Sequence, residues 1–130
     1  EKFWDELVKF SRRDTNQLRA NANKYGRPLF DCASRQKAQE LRTTYYRYQA
    51  VNIMPPKTIE IRIFRGTLDI ATLLASIELT DFLVRLAKNT STKRLQAMTW
   101  GQLTHRIRNG KYKYLPNYLT EKELMPCVLS

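Results

Sequence analysis

Ile59, Ile61 and Ile63 alternate with Thr58, Glu60, Arg62 and Phe64. A strict period of two is the signature of a half-buried strand, apolar on one face and polar on the other. Upstream, "YYRYQAVNI" is aromatic and β-rich, and reads as a second strand over 45–53. Between them "MPPK" breaks the chain, and four linking residues suit an antiparallel hairpin. With 54–57 as the loop, 53 pairs with 58, 51 with 60, 49 with 62 and 47 with 64. Directly paired residues share a face. This register groups Arg47, Gln49, Glu60 and Arg62 and turns the three isoleucines to the core with Tyr48 and Ala50. A slip of one residue sends Arg47 to the other face.

Helical spacing surrounds the hairpin. "FWDELVKF" places Phe3, Leu7 and Phe10 on one face, with Trp4 and Val8 adjoining. A second helix opens at Asp14 and stops at Gly26, and Arg27-Pro28 breaks the chain. Ser34 caps a short polar helix to about Arg42. After Gly66, Thr67 or Asp69 caps a long helix with Ile70, Leu73, Leu74, Ile77 and Val84 as its stripe, widened by Leu83 and Leu86. "TSTKR" reads as a loop. Thr99 caps a further helix carrying Trp100, Leu103 and Ile107, ended by Asn109-Gly110. The tail is a broken helical segment with aromatic contacts.

The 130 residues suit one domain, 1–130, and 42% apolar content is compatible with a packed core. Lys and Arg number 23 against 12 Asp and Glu, a net +11. The excess is spread: residues 1–57 carry 12 basic and 6 acidic groups, and residues 58–130 carry 11 and 6. Such a balance favours an anionic partner: nucleic acid, a phosphorylated ligand or an acidic protein. Cys32 and Cys127 form no CxxC pair and are too few for a disulfide framework, so both read as reduced thiols in a cytosolic protein. No apolar run approaches the length of a membrane span, and no signal peptide is visible.

The chemistry concentrates on the hairpin's polar face. Glu60 offers oxygen to a hard divalent cation. Arg62 and Arg47 offer paired donors to phosphate or carboxylate. The plainer reading is a solvated sheet face with weak cross-strand ion pairs. Tyr45, Tyr46 and Tyr48 are suited to stacking bases or to hairpin packing. Arg12-Arg13 reads as a phosphate contact or a solvent-facing pair. His105, the single histidine, lies beside Arg106 and Arg108 on a helix surface. One histidine and two unpaired cysteines supply fewer than the four Cys and His ligands of a structural zinc site, and no serine or cysteine nucleophile system is legible.

"RYQAVNIMPPKTIEIRIFRGTL" resembles the C-terminal motif of the amidoligases: arginine, AVN, then a TxExRxFxGTL strand. These are carboxylate–amine ligases related to glutamine synthetase and glutamate–cysteine ligase, of bacteria and of phages of Gram-positive hosts. "FWDELVKFSRR" with "QLRANANKYG" resembles the preceding stretch of phage-type members, and "MTWGQLTHRI" the tail helix. The resemblance implies an ATP- and Mg²⁺-dependent reaction in which a carboxylate is phosphorylated and an amine attacks the acyl phosphate. It implies Glu60 as metal ligand and Arg62 as the catalytic contact to the transferring phosphate. Arg47 becomes a nucleotide-phosphate contact, with Asn52, Arg12 and Arg13 as further cofactor-binding candidates. The family's early strands also carry metal-binding carboxylates in an ExE-like pattern, which this sequence lacks upstream of residue 60. Either that part lies outside this chain, or the chain is a reduced relative that no longer catalyses.

The expectation is therefore an α+β fold: helices at both ends and a central antiparallel β-hairpin, part of a glutamine-synthetase-like sheet, packed on a long helix. The expected function is the C-terminal part of a carboxylate–amine ligase-like protein, inactive alone, with nucleotide and small carboxylate and amine substrates, in the cytoplasm of a bacterial host cell. The rival is an inert basic module binding nucleic acid or a ribonucleoprotein, for instance as a phage-encoded inhibitor. A structural interaction domain is a third reading.

Overall fold

A computed structural model describes residues 2–12, 51–52 and 55–126. They form helices α1 (Trp4–Ser11), α2 (Ile70–Asn89), α3 (Thr92–Ala97), α4 (Trp100–Arg108) and α5 (Leu115–Glu121), and strands β1 (Val51–Asn52) and β2 (Glu60–Ile61). The architecture is mixed and mostly helical. The chain divides into two compact units, Glu1–Arg65 and Gly66–Ser130. The helical readings over 14–26 and 34–42 fall outside the described residues.

In the first unit, α1 buries Val8, Phe10 and Ser11. It stops at Arg12, which adopts the left-handed conformation at φ 58° that non-glycine residues rarely take. The Ser11 hydroxyl donates to the Val8 carbonyl at 2.9 Å. Arg65 N–H donates to the Ser11 carbonyl at 3.2 Å, and the Arg12 guanidinium donates to the Arg65 carbonyl at 3.0 Å. Phe10 and Phe64 meet edge to face with centroids 5.9 Å apart. The end of α1 and the segment after β2 are thus tied through both backbone and side chains.

The hairpin differs from expectation in register. Among the described residues the ladder is antiparallel, with Val51 opposite Ile61 and Asn52 opposite Glu60. The rest of the strand read over 45–53 lies outside the described residues. The observed pairing is one residue away from the expected 51–60 and 53–58. The prolines at 55 and 56 supply the reason. Each fixes its own φ and drives the residue before it to extended geometry. A four-residue turn is then too tight, and residues 53–59 all lie between the paired positions. The apolar face fades toward the turn: Ile63 is buried, Ile61 half-buried and Ile59 63% exposed.

The second unit is built on α2. Asp69 caps it, its carboxylate accepting from Thr72 N–H at 2.7 Å, while the Thr67 hydroxyl accepts from Asp69 N–H at 3.0 Å. The buried residues of α2 are Ala75, Leu79 and Phe82. They join Met98, Leu103, Ile107, Leu115, Tyr118, Leu119 and Leu124, with α5 packing on both α2 and α4. This corrects the expected stripe. Ile70, Leu73, Ile77 and Val84 are exposed, and at 3.6 residues per turn they lie on the opposite side of the helix from Ala75 and Phe82. The segment read as a loop at 90–94 also differs: Ser91 accepts from Arg94 N–H and α3 runs Thr92–Ala97.

Thr99 closes a capping box with Gln102, the two side chains each accepting a backbone N–H at 3.2 and 3.0 Å. After α4 the chain turns at Gly110, where an added Cβ would sit 3.1 Å from the Arg106 carbonyl oxygen. Trp100 Nε1 donates to the Leu124 carbonyl at 2.7 Å and holds the segment after α5 against α4. Among the described residues no helix is long and apolar enough to cross a membrane.

Two acids of α2 organise the turn before α5. The Glu78 carboxylate accepts the backbone N–H groups of Lys113, Tyr114 and Leu115 at 3.1, 2.9 and 2.7 Å. Asp81 accepts from Arg85 at 2.9 Å and from the Tyr112 hydroxyl at 3.0 Å, with Lys111 Nζ at 3.4 Å. The Arg85 hydrogen bond, aided by Tyr112, holds the Asp81 carboxyl below the usual carboxylate range. Burial, then the bond to Asp81, pushes the Tyr112 hydroxyl up. The signs oppose each other. Asp81's contribution is complete above the unfolded carboxylate pKa, about 4, and is lost as pH falls through its lower folded value. Tyr112's is complete below the unfolded tyrosine value, about 10, and is lost as pH rises through its higher folded value. Asp81→Asn should flatten the acid limb of a melting-temperature profile below about pH 4 and bring Tyr112 ionisation, followed by tyrosinate absorbance, to lower pH.

Candidate functional site

Glu60 and Arg62 lie two apart along an extended segment, and residues at that spacing line one face. Arg62 Nη1 is 3.9 Å from Glu60 Oε2, with the side chains 40% and 50% exposed. The carboxylate thus stands beside the guanidinium because the pair is adjacent on the wet side of a strand whose other side is held by Ile63. Its worth as a stabilising ion pair is small, of the order of a few tenths of a kcal/mol at that exposure. What it provides is a guanidinium and a carboxylate presented together at an open surface.

Asn52 stands opposite Glu60 in the ladder. The register therefore brings the asparagine, not Val51, to the position across from the acid. The Arg12 guanidinium donates to the Arg65 carbonyl and ties α1 to the end of the strand segment. Arg47 and Arg13, with Gln49 and the tyrosines 45, 46 and 48, lie outside the described residues.

Magnesium requires about six oxygen ligands and commonly takes one or two carboxylates with substrate phosphates and water. Among the described residues no group of three or more His, Cys, Asp or Glu side chains is placed to hold a metal ion. Glu60 by itself does not make such a centre.

A second concave surface was missed by sequence reasoning. Arg94, Thr99, Gly101, Gln102, His105 and Arg106 line an open groove of about 680 Å³ in the second unit. The missed signal was α3. Reading 90–94 as loop left Arg94 without a position, so its approach to the α4 face bearing Gln102 and Arg106 was not legible. His105 is exposed, as expected, and its Nε2 lies 2.9 Å from Asn109 Nδ2.

Comparison of the chain with protein-family models, curated proteins and solved structures found no match.

Proposed function

We propose that the chain is the anion-facing C-terminal part of a carboxylate–amine ligase-like protein, and that alone it binds without turning over. The observation that carries this reading is the Glu60–Arg62 pair, 3.9 Å apart and open to solvent, within a sequence that resembles the amidoligase strand motif. A guanidinium at an open surface takes a phosphate or carboxylate through two parallel hydrogen bonds. In an acyl-phosphate reaction that contact neutralises charge building on the transferred group. Arg62 takes this role, and Glu60 beside it keeps the guanidinium oriented when no ligand is bound. Asn52, across the ladder, is the neighbouring backbone position. A magnesium-nucleotide centre needs oxygen donors in addition to Glu60, so the proposal is of binding alone.

The test is thermal unfolding of the purified chain with ATP, in the presence and absence of Mg²⁺. A ligand at a hundred times its Kd stabilises by about 2.7 kcal/mol. Arg62→Ala is expected to remove the nucleotide-induced rise in melting temperature. Glu60→Gln should remove the part that requires Mg²⁺ and leave the melting temperature without ligand nearly unchanged. An ATP response identical in the parent and in Arg62→Ala, or no response in the parent, overturns the reading.

A further inference from the structure

We infer that the groove between α3 and α4 is a binding site for the phosphodiester backbone of nucleic acid. The inference stands on the second unit alone and is independent of the ligase reading.

Charge comes first. Among the described residues, no ion pair engages Arg94 or Arg106, and no carboxylate lines the groove. Four of the five acids of this unit are committed elsewhere: Asp69 caps α2, Glu78 takes three backbone amides, Asp81 is held by Arg85, Tyr112 and Lys111, and Glu121 pairs with Lys122. The fifth, Glu123, is not among the residues that line the groove.

Hydrogen-bond polarity points the same way. Gln102 Oε1 is occupied by Thr99 N–H at 3.0 Å, which leaves the amide NH₂ to donate outward. The two guanidiniums are donors only. The groove thus offers two cations and a neutral donor, a set that suits phosphate oxygens.

Shape decides the class of ligand. Among the described residues that line the groove, Met98, Ala97 and the His105 ring accompany the arginines, and there is no Phe, Tyr or Trp. A base-stacking platform uses such large aromatic faces, whereas an open groove leaves room for an extended backbone to pass. Recognition by charge without base contacts is expected to be weak and indifferent to sequence, with Kd on the order of 10⁻⁴ to 10⁻⁶ M at physiological salt.

The experiment measures fluorescence anisotropy of a labelled short duplex against protein over a range of salt. Each phosphate contact contributes about 0.9 to the slope of log K against log salt for duplex DNA. Arg94→Ala combined with Arg106→Ala is expected to lower that slope by about 1.8 and weaken binding on the order of ten- to a hundredfold near 0.1 M salt. Lys88→Ala with Lys113→Ala removes the same charge elsewhere in the unit and is expected to leave most of the affinity. Circular dichroism confirms that both variants fold. Glu60→Gln should leave binding unchanged, which separates this outcome from that of the nucleotide titration. Equal losses in the two double variants overturn the assignment, because binding then follows net charge. So does displacement of the duplex by polyglutamate as readily as by unlabelled duplex, which would mark an acidic protein as the partner. Absence of duplex binding in the parent overturns it outright.

Discussion

Glu78→Ala is expected to destabilise the second unit by about 2–3 kcal/mol, although the side chain is only half-buried. The reason lies in what it caps. Helix α5 has seven residues, and an isolated helix shorter than about 12 residues is marginal in water. Its N-cap position is Tyr114, which makes no side-chain cap hydrogen bond. Glu78 replaces that cap from another helix, receiving Lys113, Tyr114 and Leu115 N–H. A carboxylate there also meets the positive end of the helix dipole. Once freed, α5 would loosen the core, because Leu115, Tyr118 and Leu119 are buried on it. For a unit of this size each kcal/mol corresponds to roughly 4–8 °C in melting temperature, so a fall of roughly 10–20 °C is expected. Amide hydrogen exchange should accelerate first at Tyr114 and Leu115. Glu78→Gln retains one acceptor oxygen and should lose about half as much. A melting temperature within a degree or two of the parent's would mean that packing alone orders α5.

The same glutamate explains where the sequence was readable and where it was not. Local signals with a single physical solution were legible: Asp69 and Thr99 as caps, Asn109-Gly110 as a stop, α1 from its spacing. These depend on neighbours within a turn. Register and face selection depend on distant groups. The strand alternation identified which residues of 58–64 share a face, and Ile63 and the Glu60–Arg62 pair follow it. The partner strand's phase depended on how the chain negotiates two prolines, and it moved by one residue. For the candidate site that slip places Asn52 at Glu60. For α3, the polar sequence "TKRLQA" carried no amphipathic stripe, and Ser91 was the one local sign of a helix.

On α2 the difficulty was a surplus of apolar residues. Ile70, Leu73, Ile77 and Val84 make one row; Ala75, Leu79 and Phe82 make another on the far side. Periodicity cannot choose between two such rows. Counting the larger side chains favoured the first. Polar geometry favours the second, because Glu78, three residues after Ala75 and four before Phe82, shares their side of the helix and accepts the amides of 113–115 from there. Phe82 then meets Tyr112 edge to face at 6.0 Å, on the same hydroxyl-bearing ring that donates to Asp81. Glu78 thus helps to set the orientation of the helix.

That choice gives a sharp contrast between two residues separated by two positions. Leu79 is 1% exposed and Ile77 is 55% exposed. Leu79→Ala should cost about 2–5 kcal/mol, the sum of lost apolar burial and the cavity left in a packed interior. Ile77→Ala should lie within about 0.5 kcal/mol of the parent, helped by the better helix propensity of alanine. Urea denaturation followed by circular dichroism measures both, with equal slopes in denaturant required for the comparison. If Ile77→Ala proves the more damaging of the two, α2 presents its other side to the core. The bonds from the amides of 113–115 to Glu78 would then not form, and Glu78→Ala would lose its expected effect as well. The two stability experiments therefore stand or fall together, because one orientation of one helix supplies both the cap of α5 and the wall of the core.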